Sequence, residues 1–253
     1  MALRGITGST NPSGTAISNS LTYSGSAIQV GDLMILATCY APGGTTTFTD
    51  PSGWTQGSAL SPALADVLIN SSSILHVIVK IAAAGDTGTP TYVTADAGAF
   101  GGRWNQQLRV YSGRVNTSIA AAFNNQGGTA AGATLNTPYT YSINGLTALS
   151  GDDIVVLTAV NVISAAGGTY TAPITGYANT LVVNTNAIPA PMIGLDKVNA
   201  SAGATGTLSQ VITDSAGASS IIPASFVLSL PQAAAGAAPP APMYYRKNVL
   251  YFI

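Results

Sequence analysis

The same set of landmarks occurs twice, in the same order, along this 253-residue chain, and that doubling restricts its folds more than any other feature. Gly31-Asp32-Leu33 opens an apolar run, and Gly151-Asp152-Asp153 opens another that begins at Ile154. Pro51-Ser52-Gly53-Trp54 corresponds to Pro173-Ile174-Thr175-Gly176-Tyr177. Lys80-Ile81, followed by Ala84-Gly85-Asp86-Thr87-Gly88-Thr89, corresponds to Lys197-Val198, followed by Ala202-Gly203-Ala204-Thr205-Gly206-Thr207. The segment from Leu108 corresponds to that from Phe226, and the offset stays near about 120 residues throughout. Two similar halves, about residues 21–115 and 139–230, either interleave into one sandwich or form two tandem sandwiches. A chance match within a narrow composition is the third reading.

Between the landmarks the chain reads as strands and turns. Residues 32–40 (DLMILATCY) form a near-continuous buried run, and residues 154–163 and 225–230 repeat the theme. Residues 74–81 alternate, with Leu75, Val77, Val79 and Ile81 on one face and Ile74, His76, Ile78 and Lys80 on the other. Residues 107–112 alternate too, placing Leu108 and Val110 inward and Arg109 and Tyr111 outward. Asn144-Gly145 carries the signal of a two-residue hairpin turn. Helix signals are confined to short Ala-rich stretches such as residues 120–123. The fold class expected is all-β, a jelly-roll-like β-sandwich over residues 1–230. The Gly-Asp turns, Pro-Ser-Gly-Trp and Ala-Gly-Asp-Thr-Gly read as structural devices before ligand sites.

Charge excludes several functions. Only 7% of residues are charged, the net charge is −1, and all nine acids are Asp. No basic stripe exists for a nucleic-acid backbone, so nucleic acid is not an expected partner. No apolar run reaches the roughly 18 residues of a membrane span, so no membrane insertion is expected. The opening Met1-Ala2-Leu3-Arg4-Gly5 lacks the apolar core of a signal peptide. A single cysteine, Cys39, rules out an internal disulfide and reads as an inert core thiol.

Catalytic chemistry is poorly provided for. His76 is the only histidine, so a Ser-His-Asp or His-metal scheme must pass through it, and its mid-strand position suits a hydrogen-bonded structural role. Asp50, Asp66, Asp86 and Asp96 are the carboxylates from which a glycosidase pair would be drawn, but each stands in a turn or loop-like segment. Asp152-Asp153 lacks the remaining ligands of a calcium loop. No catalytic residue, cofactor or metal ligand is assigned. Aromatics offer more for binding: Trp54, Trp104, Tyr92, Tyr111, Tyr170 and Tyr177 are candidate stacking platforms, with Asn105, Gln106 and Gln107 beside them. Residues 100–105 read as a loop carrying Arg103, Trp104 and Asn105 as a surface for a glycan, set against the preferred reading in which Trp104 packs across a sandwich edge or an intersubunit contact.

The order of an apolar strand after Gly31-Asp32-Leu33, then Pro51-Ser52-Gly53-Trp54-Thr55, Ala84-Gly85-Asp86 and Leu108-Arg109-Val110-Tyr111-Ser112-Gly113 resembles a β-sandwich domain of bacteriophage tail, fibre and head-surface proteins. That domain also occurs in some bacterial surface proteins, and the resemblance covers about residues 1–230. Where the family pattern ends its first half in Tyr-Arg-Gly-Val, this chain has Tyr111-Ser112-Gly113-Arg114-Val115. The resemblance implies a structural or adhesive role in a phage particle, with no catalytic residues to carry over.

Residues 231–242 (PQAAAGAAPPAP) read as an extended linker that could span about 35 Å at roughly 3.1 Å per residue. Beyond it, eight of the eleven residues 243–253 are apolar or aromatic: Met243, Tyr244, Tyr245, Val249, Leu250, Tyr251, Phe252 and Ile253. Such a segment is expected to dock as a strand on its own sandwich or on a neighbour. The expectation is a non-enzymatic virion protein on the particle exterior (head decoration, head fibre or tail-associated subunit), assembled in the host cytoplasm. It packs as a homo-oligomer with other virion subunits. The alternative is a host-receptor module whose partner is a host-surface glycan, and a depolymerase is a third class.

Overall fold

The computed structural model describes residues 3–42, 47–56, 67–70, 73–98, 101–112, 119, 125–130, 139–162, 168–172, 174–183, 191–198, 200–214, 221–231, 245–246 and 249–250. They are almost entirely strand, in antiparallel sheets, as an all-β sandwich requires. The Ala-rich residues 120–123 lie outside them.

The first half contributes β1 (Leu3–Ala16), β2 (Ser18–Thr22), β3 (Leu33–Pro42), β4 (Phe48–Thr49), β5 (Thr55–Gln56), β6 (Val67–Asn70), β7 (Ser73–Ile81), β8 (Thr91–Asp96) and β9 (Gly102–Tyr111). The second contributes β10 (Asn125–Ala130), β11 (Tyr139–Ile143), β12 (Thr147–Ala148), β13 (Asp153–Val162), β14 (Gly168–Ala172), β15 (Ala178–Val183), β16 (Met192–Lys197), β17 (Gly203–Ala204), β18 (Leu208–Asp214) and β19 (Ile221–Leu230). A large sheet, β1-β9-β3-β7-β5 with β6 also on β7, and a small sheet, β2-β8-β4, make up the first half. In the second, the large sheet is β10-β19-β13-β16-β15 and the small one β11-β18-β14, with β12 and β17 paired separately. The two orders correspond strand for strand, except that β6 has no counterpart among the described strands. Among the described strands, none of one half pairs with a strand of the other. The correspondence begins at β1 and β10, earlier than residues 21 and 139, because these edge strands are Gly-rich and polar and carry no apolar alternation.

Each half starts its central strand in the same way. Gly31 has φ 88° and donates to the Ala82 carbonyl at 2.8 Å, while the Asp32 carboxylate accepts the Gln29 N–H at 2.8 Å. Gly151 has φ 87° and donates to the Ala200 carbonyl at 2.9 Å, while Asp152 accepts the Leu149 N–H at 3.0 Å. Left-handed backbone favours Gly, and the Asx bond fixes the turn, so the dipeptide sets where β3 and β13 begin.

Three large apolar cores follow. Met34, Leu36, Ile78, Leu108 and Val110 of the first large sheet pack on Leu21 and Tyr92 of its small sheet. Ile154, Val156, Ile193, Leu195 and Val227 pack likewise on Tyr141, Ile143 and Leu208. The third core lies between the halves, where Leu33, Ile35, Ala37, Cys39, Leu75, Val77 and Val79 meet Val155, Leu157, Ala159, Met192, Phe226 and Leu228. The described strands are therefore stacked four sheets deep, small, large, large, small, and the central strands of both large sheets are buried on both faces. Such strands read as unbroken apolar runs, which accounts for residues 32–40 and 154–160.

Two expectations fail on this architecture. Arg109 and Tyr111 are not outward: both are buried, at 0% and 1% exposure, because the face of β9 opposite Leu108 is covered by the second half. Asn144-Gly145 does not close a hairpin. It links β11, which pairs with β18, to β12, which pairs with β17, and the Leu146 N–H donates to Thr205 Oγ1 at 2.9 Å.

Candidate functional site

The glycan-facing set does not survive the packing. Trp104 lies in β9, fully buried, its ring stacked on Tyr40 with centroids 4.0 Å apart, and its Nε1–H donates to the Ala16 carbonyl at 3.0 Å. Asn105 is buried on the opposite face of the same strand, and Arg103 is half-buried. From Gly102 onward the expected loop is strand, so a sugar ring has no access to Trp104 or Asn105. Gln106, Gln107, Tyr92 and Tyr111 are buried as well. Trp54 and Tyr177 are half-buried, each just past the same tight turn in its own half, with Gly53 at φ 78° and Gly176 at φ 81°. Tyr170's side chain lies outside the described residues.

Nor, among the described residues, do the groups with catalytic potential assemble. His76 is fully buried, its Nε2 is 2.9 Å from Asp50 Oδ1, and its ring stacks on Phe48 at 4.1 Å. Asp96 accepts the Tyr40 hydroxyl at 2.6 Å, and Asp86 accepts Lys80 Nζ at 2.8 Å and the Tyr92 hydroxyl at 3.1 Å. Burial tends to raise Asp86, but bonds from Lys80, the Ala83 N–H and Tyr92 outweigh it and hold the carboxyl below its usual range. Burial pushes the Cys39 thiol up to about 12, so at neutral pH it is protonated and unreactive. Asp66 lies outside the described residues.

What the fold does bring together is a polar seam between the halves, which sequence reasoning missed. Arg109 donates through Nη1 to Asp196 Oδ1 at 2.5 Å, through Nη2 to the Asn179 carbonyl at 2.9 Å, and through Nε to Gln107 Oε1 at 3.1 Å. The Tyr111 hydroxyl donates to the same Asp196 oxygen at 2.7 Å. Asn179, at φ 50° within the irregular register between Ala178 and Leu181, supplies that carbonyl. Gly194 makes the room: a β-carbon there would collide with Gln107 Oε1 and lie 2.7 Å from Arg109 Nε. Desolvation raises Asp196 above the usual carboxylate range, opposed by Arg109, Tyr111 and Asn179. Burial, reinforced by the Asp196 charge, drives Tyr111 well above its ordinary value, so it remains a donor. The signal in the sequence was a pair of opposite charges next to apolar residues, Arg109 between Leu108 and Val110 and Asp196 directly after Leu195.

Of the C-terminal segment, β20 (Tyr245–Arg246) and β21 (Val249–Leu250) are described, and they pair with each other as a sheet of their own. Where a single strand was expected, these residues form a pair of short ones. Met243, Tyr244, Tyr251, Phe252, Ile253 and the linker after Pro231 lie outside the described residues.

Fold and seam together define a duplicated β-sandwich protein whose halves are joined by a buried charged contact. The chain matches no family model, and comparison with curated proteins and with solved structures gave no match.

Proposed function

We propose that the chain is a non-enzymatic structural subunit of a bacteriophage particle exterior, at the head surface or tail, acting as a homo-oligomer by multivalent packing. The C-terminal segment carries the reading. Its apolar residues 243–253 follow an Ala/Pro-rich stretch, and the described strands within it pair with each other and with no strand of the sandwich. A sandwich whose three large cores are already closed does not require that segment for its own stability, whereas a neighbour's sheet edge would shield it from water. In an assembly, each copy contributes one such contact, and many weak contacts act together. The jelly-roll reading draws support from the strand order, since β1 lies beside β9 in one sheet and β2 beside β8 in the other. A glycan-binding role through Arg103, Trp104 and Asn105 has no such support, because Trp104 and Asn105 are buried.

The test compares the full chain with one ending at Leu230, in light scattering and in incorporation into particles followed by antibody labelling. The truncated chain is expected to fold with unchanged thermal stability and to be missing from particles. Incorporation of both chains to the same extent, or absence of the full chain from purified particles, refutes the proposal.

A further inference from the structure

The duplicated fold raises a question of pairing, because two similar faces that bury each other could equally bury copies of themselves. Strand registers identify the equivalent positions. Ile35 lies opposite Arg109 on one side and Val79 on the other, and Val155 lies opposite Leu228 and Asp196 in the same way. Arg109 is therefore equivalent to Leu228, and Val79 to Asp196, which moves the correspondence read from the sequence by one residue: Leu108 matches Val227, not Phe226. By the same registers Gln107 is equivalent to Phe226, and Val77 to Gly194. The seam is thus polar on one side, where Arg109 and Gln107 meet Asp196 and Gly194. The equivalent residues Val77, Val79, Phe226 and Leu228 all belong to the apolar core between the halves.

We infer that Arg109 and Asp196, with Gly194 clearing space for them, are the recognition elements by which the first half's large sheet accepts a second half and rejects another first half. In a pair of first halves, each Arg109 would face Val79 and each Gln107 would run into the side chain of Val77, where Gly194 now stands. In a pair of second halves, Asp196 would be buried against Leu228, and Phe226 would face Gly194 with a void. A buried charge without its partner is strongly unfavourable, so both like pairings are excluded. The surface has one occupant, a second half, and another copy of this chain can supply it when the half in the same chain is made incompatible. This inference is independent of the assembly proposed for the C-terminal segment.

The test uses three full-length variants: Arg109→Asp, Asp196→Arg and the double exchange R109D/D196R. R109D places two carboxylates in the seam of one chain, and D196R places two guanidinium groups there. Each is expected to refold to at least about ten-fold less native protein than the parent, read by near-UV circular dichroism and tryptophan fluorescence. Refolded together in equal amounts, the two single variants can exchange halves so that both seams carry one acid and one base. The mixture is then expected to recover several-fold more native signal than the mean of the two alone. R109D/D196R is expected to recover within one chain. Rescue by mixing separates recognition from simple loss of stability, and association through the C-terminal segment cannot produce it. A mixture no better than its components, a double exchange no better than the single variants, or single variants that refold like the parent would each overturn the inference.

Discussion

Replacing Arg109 with Leu, the residue at the equivalent position 228, tests how the seam is held together. The guanidinium has 0% exposure and makes three hydrogen bonds, one of them to a carboxylate whose side chain is 1% exposed. Arg109→Leu leaves Asp196 with Tyr111 and Asn179 as its remaining donors, both neutral, and removal of one member of a buried ion pair costs about 3–5 kcal/mol. At roughly 2–4 °C per kcal/mol for a chain of this size, the midpoint should fall by about 6–20 °C. The double variant R109L/D196V places apolar residues where the equivalent positions hold Leu228 and Val79, both members of the core between the halves, and is expected to match or exceed the parent by up to about 4 kcal/mol. Urea denaturation followed by circular dichroism gives all four corners of the cycle, and the excess of the summed single losses over the double loss is the coupling. The pH dependence has a definite sign. Burial already raises Asp196 and loss of Arg109 raises it further, so the folded state of R109L holds the proton more tightly than the unfolded chain. Its deficit is small below the ordinary Asp range near about 4 and grows as pH rises through the folded value. A loss under about 1 kcal/mol at neutral pH, the range of exposed pairs, refutes the reasoning, as does a double variant no better than R109L.

Two other outcomes are expected. Trp104→Ala removes a fully buried ring stacked on Tyr40 and should cost about 3–5 kcal/mol in the same denaturation assay; a cost under about 1 kcal/mol would place the ring at the surface after all. Asp86 is held below its usual range when folded, so its contribution is complete above the unfolded value near about 4 and is lost as pH falls through the folded one. The midpoints of the parent and Asp86→Asn should therefore converge in acid, and a gap that stays constant down to about pH 2 would contradict the Lys80 and Tyr92 contacts.

The all-β class and the two Gly-Asp turns were legible because they depend on local chemistry: β-branched runs, positive-φ glycines and Asx bonds act within a few residues. Arg109 and Tyr111 were misplaced because alternation assigns inside and outside to a sheet with one wet face, whereas both faces of β9 are covered, and the glycan-facing reading of Trp104 failed because β9 already begins at Gly102. The correcting signal lay in a distant segment of the chain. Residues 33–40 are buried on both faces of β3, and β9, paired beside it at the centre of the same sheet, shares that cover. That step requires knowing that β9 lies beside β3, a pairing across some seventy positions that no local pattern specifies. The hairpin expected at Asn144-Gly145 failed in the same way: the dipeptide permits a reversal, but the partner of β11 is the distant β18.

The low charge gives the buried seam its consequence. With 7% charged residues, copies of this chain repel one another weakly, and little on their surfaces discriminates one apolar sheet from another. Specificity then has to come from contacts that are costly when mismatched, and those lie where water is absent. Four of the residues that carry them, Gln107, Arg109, Gly194 and Asp196, occupy positions whose equivalents are Phe226, Leu228, Val77 and Val79. Duplication gives the two faces the same strand order, and these few differences in charge and volume leave only one pairing in which every buried charge is met.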